Sequence, residues 1–171
     1  AIYAATTVEE WSAIANLTFM EMISGGITTC VEFNSYFPEE MVDLLGDCGL
    51  RGYIAPETNS LDGYPYSPDG RSVRIEHKTG PDMFKKLERN VDLIERSNGA
   101  HNDRVRVTLG PTEPPACRPE LLREVRKLTS KYHVPITMHA AETRIERNYI
   151  RNEYGKDSIV LLAENGIVGP D

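Results

Sequence analysis

Apolar residues recur along this chain in two alternating rhythms: stripes at three- and four-residue spacing, and short unbroken runs rich in β-branched side chains. The first stripe, Trp11, Ile14, Ala15, Leu17, Thr18 and Met22, follows a T-x-x-E capping box at Thr7 and Glu10. It predicts an opening helix that stops at Gly25 and Gly26. The run ITTCVEF (27–33) predicts a strand, and Pro38 then opens a helix that Gly49 ends. LRGYIAP (50–56) predicts the next strand, and the stretch 57–79, rich in Asn, Asp, Gly, Pro, Ser and Tyr, predicts a long loop. Met83, Phe84, Leu87, Val91 and Ile94 share one stripe of a helix over 81–97, and RVRVTLG (104–110) predicts a strand. Leu121, Leu122, Val125 and Leu128 mark the buried face of a helix behind Pro119. VPITM (134–138) predicts a further strand, and a second capping box at Thr143 and Glu146 predicts a helix through Tyr154. Asp157 is the predicted cap of a last helix, which Gly166 ends.

The order is therefore one helix and then four strand–helix rounds, with an additional helix at the end. Strands alternating with helices imply parallel pairing through right-handed crossovers, hence an α/β sheet. Residues 1–171 are expected to form a single domain with no separate linker or second domain. Two architectures fit at this level: an open doubly wound sheet, or part of a closed eight-stranded barrel. No G-x-G-x-x-G follows the first strand, which weakens the dinucleotide-binding form of the open sheet. A closed barrel needs about 250 residues, so under that reading strands are missing from this stretch.

Composition narrows the partners. A net charge of -7 argues against a general affinity for nucleic acid or anionic membranes, since an acidic surface offers phosphate no counter-charge. Cys30, Cys48 and Cys117 are odd in number and widely spaced, with no C-x-x-C pair. They suggest neither a disulfide framework nor a structural zinc site, and point to a reducing cytoplasm as the expected compartment. A sheet with open edges is expected to associate, as a homo-oligomer, to cover them.

Candidate chemistry concentrates in KYHVPITMHAAETRIE (131–146). His139 ends a predicted parallel strand and Glu142 lies just beyond it, where α/β barrels place catalytic groups. In that reading the imidazole holds a divalent metal that acidifies bound water, and the carboxylate carries protons. The same residues also fit a histidine ending a core strand and a glutamate favouring a helix N-terminus. With 26 acidic residues in the chain, the spacing alone does not choose between them. A catalytic zinc usually takes three protein ligands, and no other histidine lies at a predicted strand end. Asn34 and Glu57 follow predicted strands and are candidate substrate contacts; the long loop, with Tyr64, Tyr66 and Arg71 or Arg74, either lies over a pocket or is a tolerated insertion. Glu32 and Trp11 are read as structural, and Cys117 as a small buried residue.

The segments LTFMEMISGGITTCVEF, GDCGLRGYIAP, LGPTEPPACRPELLREVRKLTSKYHVPITMHAAET and LLAENGIVGPD, in this order and spacing, resemble the metal-dependent amidohydrolase superfamily. The branch they resemble holds cytosine, guanine and methylthioadenosine or S-adenosylhomocysteine deaminases and the triazine chlorohydrolases. The resemblance implies a (β/α)8 TIM-type barrel of which this chain is an internal fragment, strands two to five with their helices. It also implies one divalent metal, zinc or iron, with His139 as the fifth-strand ligand and Glu142 as the general acid/base. The remaining ligands would lie outside residues 1–171, so the fragment alone is expected to be inactive. The implied reaction is hydrolysis of a C–N bond in a small cyclic compound, with deamination of a heterocycle by metal-bound hydroxide foremost. Where the family's nucleoside deaminases commonly carry G-P-H, this chain has G-P-T, so Thr112 takes the place of a substrate-contacting histidine or is an ordinary connection residue. Two alternatives stand beside this reading: a non-catalytic α/β half-barrel acting through self- or partner association, and a metal-free barrel using Glu142 as a base.

Overall fold

The computed structural model describes residues 6–63 and 74–169, with the side chains of Asn34 and Ser35 outside the description; Tyr64, Tyr66 and Arg71 also lie outside the described residues. Contacts divide the chain into two compact units, Ala1–Glu57 with Asn90–Thr108, and Thr58–Arg89 with Leu109–Asp171.

The first unit opens with helix α1 (Val8–Ser24). Its capping box forms as the sequence predicts: Glu10 N–H donates to Thr7 Oγ1 at 3.3 Å, and Thr7 N–H donates to Glu10 Oε2 at 2.9 Å. The stripe expected to face a core does not do so. Ile14 and Leu17 are 57% and 59% exposed, and of the whole helix only Phe19 is buried. Trp11 is half-buried, meeting Tyr36 edge-on at 6.1 Å between ring centres. Periodicity gives the apolar face of a helix but not what covers it, and the described residues do not cover this one.

Strands β1 (Thr29–Ser35), β2 (Arg51–Thr58) and β5 (Val105–Val107) form a parallel sheet in the order β1-β2-β5. Cys30 lies opposite Gly52, and Gly52 opposite Val105. Helix α2 (Pro38–Asp47) buries Met41, Val42 and Leu45, and Leu93 and Ile94 of helix α3 (Lys85–Ser97) are also in the core of this unit. A 3-10 turn, Gly80–Phe84, precedes α3, so the predicted single helix over 81–97 is two segments. The short turn α4 (Ala100–Asp103) holds His101, Asn102 and Asp103 at positive φ, which no sequence signal indicated.

The second unit contains a hairpin of β3 (Leu61–Gly63) and β4 (Glu76–His77) inside the stretch read as loop, then β6 (Gly110–Pro111), and helices α5 (Pro119–Tyr132), α6 (Arg144–Tyr154) and α7 (Ser158–Glu164). His77 anchors the hairpin through a 2.8 Å hydrogen bond between its Nδ1 and Ser60 Oγ. Leu121, Leu122 and Val125 of α5 pack in the core with Ile150, Leu161 and Leu162, while Leu128 is half-buried.

The strand expected over 134–138 is not continuous; only Ile136 bridges, in parallel, to Leu109. Pro135 has no N–H to give and interrupts the ladder, yet its carbonyl accepts from Leu109 N–H at 3.1 Å. Thr137 N–H donates to Leu109 O at 2.9 Å, and His139 N–H to Thr112 O at 3.0 Å. The segment follows a strand path with its bonds spaced out.

Gly46 tests the packing of the first unit. A Cβ added there would lie 2.1 Å from His101 Cγ, at the root of the ring. Gly46→Ala is expected to lower stability by about 1–3 kcal/mol, read as a fall in the urea-unfolding midpoint, because the ring base cannot swing aside without moving the turn that carries it.

Candidate active site

His139 stands at the end of the interrupted ladder, its backbone held by Thr112 O and its side chain exposed. Two residues on, Ala141 has φ +57, a left-handed conformation that costs a residue with a Cβ about 1 kcal/mol or more. The turn is held by Glu146 from the first coil of α6. Its carboxylate accepts from Ala141 N–H at 2.8 Å and from Glu142 N–H at 2.7 Å, while Thr143 Oγ1 caps the helix by accepting from Glu146 N–H at 3.0 Å. Only the Thr143 half of the predicted capping box forms: the Glu146 carboxylate reaches back past the cap residue to the turn between His139 and Glu142. Burial works against the charge on Glu146, but the neighbouring Ser158 side chain and the backbone N–H groups of the turn, those of Ala141 and Glu142 hydrogen-bonded to the carboxylate, outweigh it. They hold its carboxyl below the usual value.

Glu142 is exposed at this turn and borders a cavity of about 400 Å³ with Thr143, Arg144, Arg147 and Ser158. Arg151, also lining it, is held by Asp157 through Nε–Oδ1 at 2.7 Å and Nη2–Oδ2 at 2.9 Å. Asp157 occupies the cap position of α7 as expected but makes no side-chain bond to that helix, its carboxylate being taken by Arg151.

Thr112 is buried, its hydroxyl sealed from solvent beside the Cys117 thiol. Burial pushes that thiol up to about 12, which removes Cys117 as a nucleophile at neutral pH. Glu113, which no motif singled out, is half-buried next to them. Burial raises its carboxyl first, and the carboxylates of Glu142 and Glu146 raise it further, against the pull of His139. This acid therefore belongs to the same neighbourhood as His139 and Glu142. In the sequence it stands three residues after the end of the strand expected over 104–110.

Glu57 ends the first unit and is half-buried; Asn34 belongs to β1 of that unit. Glu32, on the same strand, is half-buried, with its carboxyl raised by burial. Arg74 is exposed and paired with Glu76.

The sequence pattern of the Amidohydrolase family matches residues 4–166. The chain belongs to this family. It is 34% identical over 157 residues to a 5-methylthioadenosine/S-adenosylhomocysteine deaminase of Thermococcus kodakarensis, covering 92% of this chain and 33% of that protein. Among solved structures it superposes on a zinc-bound adenosine deaminase from Xanthomonas campestris with a TM-score of 0.75 at 20% identity, over 97% of this chain and 34% of that one. Against the zinc complex of atrazine chlorohydrolase TrzN from Arthrobacter aurescens the TM-score is 0.73 at 21% identity, over 91% and 35%. The chain spans about a third of the length of the relatives it matches. Its fold is the α/β fold of part of a TIM-barrel amidohydrolase.

Among the described residues no three His, Cys, Asp or Glu side chains come together as a group able to hold a metal. His139 offers one imidazole, and a zinc ion would require other ligands. No described helix is long and apolar enough to cross a membrane.

Glu146→Ala removes the clamp on the Ala141 turn and is expected to destabilise by about 2–3 kcal/mol at pH 7, the usual loss for hydrogen bonds to a charged group. Because its folded carboxyl is held below the unfolded value, its contribution is complete above the ordinary carboxylate range and is lost as pH falls through the folded value. Urea midpoints of parent and variant should therefore converge on acidification. A gap that stays constant down to pH 2 would contradict the clamp.

Proposed function

We propose that the chain supplies the fifth-strand metal ligand and the proton-transferring carboxylate of a deaminase acting on a small amino-heterocycle. The observation that supports this most directly is the placement of His139 and Glu142 at the end of the ladder, on either side of a turn held by Glu146. The deaminase named among its relatives points to the substrate class. Residues 1–171 act here as one part of a single catalytic barrel domain.

His139 presents an exposed imidazole, with its backbone fixed by Thr112 O, and would be one ligand of a zinc ion. When bound, the metal acts as a Lewis acid that makes water a competent nucleophile near neutral pH. Glu142 takes a proton from the attacking water and returns it to the departing amine, so that ammonia rather than an amide ion leaves. Its exposed position leaves the side chain accessible to a substrate. Thr112 acts from behind, through the carbonyl that holds His139; Asn34 and Glu57 are retained as candidate substrate contacts.

The test uses the complete enzyme with zinc supplied, following ammonia release from aminopurines. Glu142→Gln is expected to lower kcat by about 10²–10⁴-fold with metal content unchanged, the range for losing a general acid/base. His139→Ala is expected to lose zinc on dialysis together with activity. Full turnover by Glu142→Gln, or stoichiometric zinc retained by His139→Ala at unchanged affinity, would overturn the assignment.

A further inference from the structure

We propose that Glu113 reads a hydrogen-bond donor, a hydroxyl or an ammonium group, on the part of the substrate remote from the reacting ring carbon; this rests on the deaminase reading of His139 and Glu142. Glu113 follows Thr112, whose carbonyl accepts from His139 N–H at 3.0 Å, so it lies one residue beyond the point where the ladder holds the candidate ligand. It also lines a cavity of about 240 Å³ whose other walls include Ile75, Pro115, Ile145 and Tyr149. Apolar and aromatic walls with a few placed polar groups are what a small-molecule pocket requires.

Three further polar side chains border that cavity, Glu146, Thr143 and the Tyr149 phenol, and the first two are engaged at the Ala141 turn. The Glu146 carboxylate accepts from Ala141 and Glu142 N–H, and the Thr143 hydroxyl accepts from Glu146 N–H. The Glu113 carboxylate, by contrast, meets no hydrogen-bond donor among the described residues, although it is half-buried and near two other carboxylates. A carboxylate partly withdrawn from water without a donor is costly, and a group bringing N–H or O–H hydrogens into the cavity would offset that cost. The donor belongs on an appendage of the substrate. Glu142 borders the larger cavity beside Arg144 and Arg147, whereas Glu113 borders a cavity that Glu142 does not line.

The experiment measures binding in the complete, zinc-loaded enzyme carrying Glu142→Gln, so that affinity is read without turnover. Three ligands are compared: adenosine, which carries hydroxyls; S-adenosylhomocysteine, which adds an ammonium group; and 9-methyladenine, which carries neither. Glu113→Gln, close to isosteric, and Glu113→Ala are added to this background, and thermal melting shows whether each is folded. Kd is expected to rise about tenfold or more for the donor-bearing ligands and to stay unchanged for 9-methyladenine. A rise confined to S-adenosylhomocysteine identifies the ammonium as the donor, and a rise shared with adenosine identifies a hydroxyl. An equal rise for all three ligands, or none for any, overturns the proposal. Persistent turnover by Glu142→Gln would instead overturn the deaminase reading, while the ligand-dependent difference at Glu113 could still be read from Kd.

Discussion

The candidate site depends on one carboxylate holding one unfavourable turn. Ala141 adopts φ +57, and without compensation the chain between His139 and α6 would relax to another path. Glu146 supplies that compensation by accepting two consecutive backbone N–H groups, those of Ala141 and Glu142. The same glutamate is buried at the start of α6, so it ties the first coil of the helix to the turn before it. The position of Glu142 relative to His139 is therefore a property of this clamp more than of the three-residue spacing.

The approach to the turn is just as constrained. Pro135 removes one donor from the segment that leads to His139, while Thr137 N–H donates to Leu109 O and His139 N–H to Thr112 O. A sparse ladder fixes the backbone of His139 through Thr112 and brings Glu113 beside it. Around these residues the electrostatics divide by hydrogen bonding. Glu146, with its donors, is held acidic despite burial, while Glu113 is pushed up by burial and then by the neighbouring carboxylates. Two glutamates of equal intrinsic acidity thus take different roles, one structural and one available to a ligand.

The family relation sets the frame for these details and leaves open sides. The chain spans about a third of its relatives, and the described residues gather no complete set of metal ligands. The apolar stripe of α1 and the exposed Val31 on β1 show that the first unit carries apolar surface which its own described residues do not cover. A helix stripe at three- and four-residue spacing is written in the sequence whatever partner eventually buries it.

Sequence alone determined much of the framework. The alternation of stripes and β-branched runs gave the α/β class and the helices, because burial periodicity is local and survives without knowledge of partners. The two T-x-x-E signals correctly marked the starts of α1 and α6, and the H-A-A-E-T segment carries the family resemblance. Tertiary structure decided what depends on distant neighbours. It broke the strand over 134–138 at Pro135, placed a hairpin within the stretch read as loop, and left the α1 stripe exposed. It also turned Glu146 from a helix cap into the clamp of the Ala141 turn, and brought Glu113 into the neighbourhood of His139 and Glu142. The physical reason is the same in each case: a side chain's identity fixes which hydrogen bonds and charges it can contribute, but only the folded chain decides which groups are close enough to receive them.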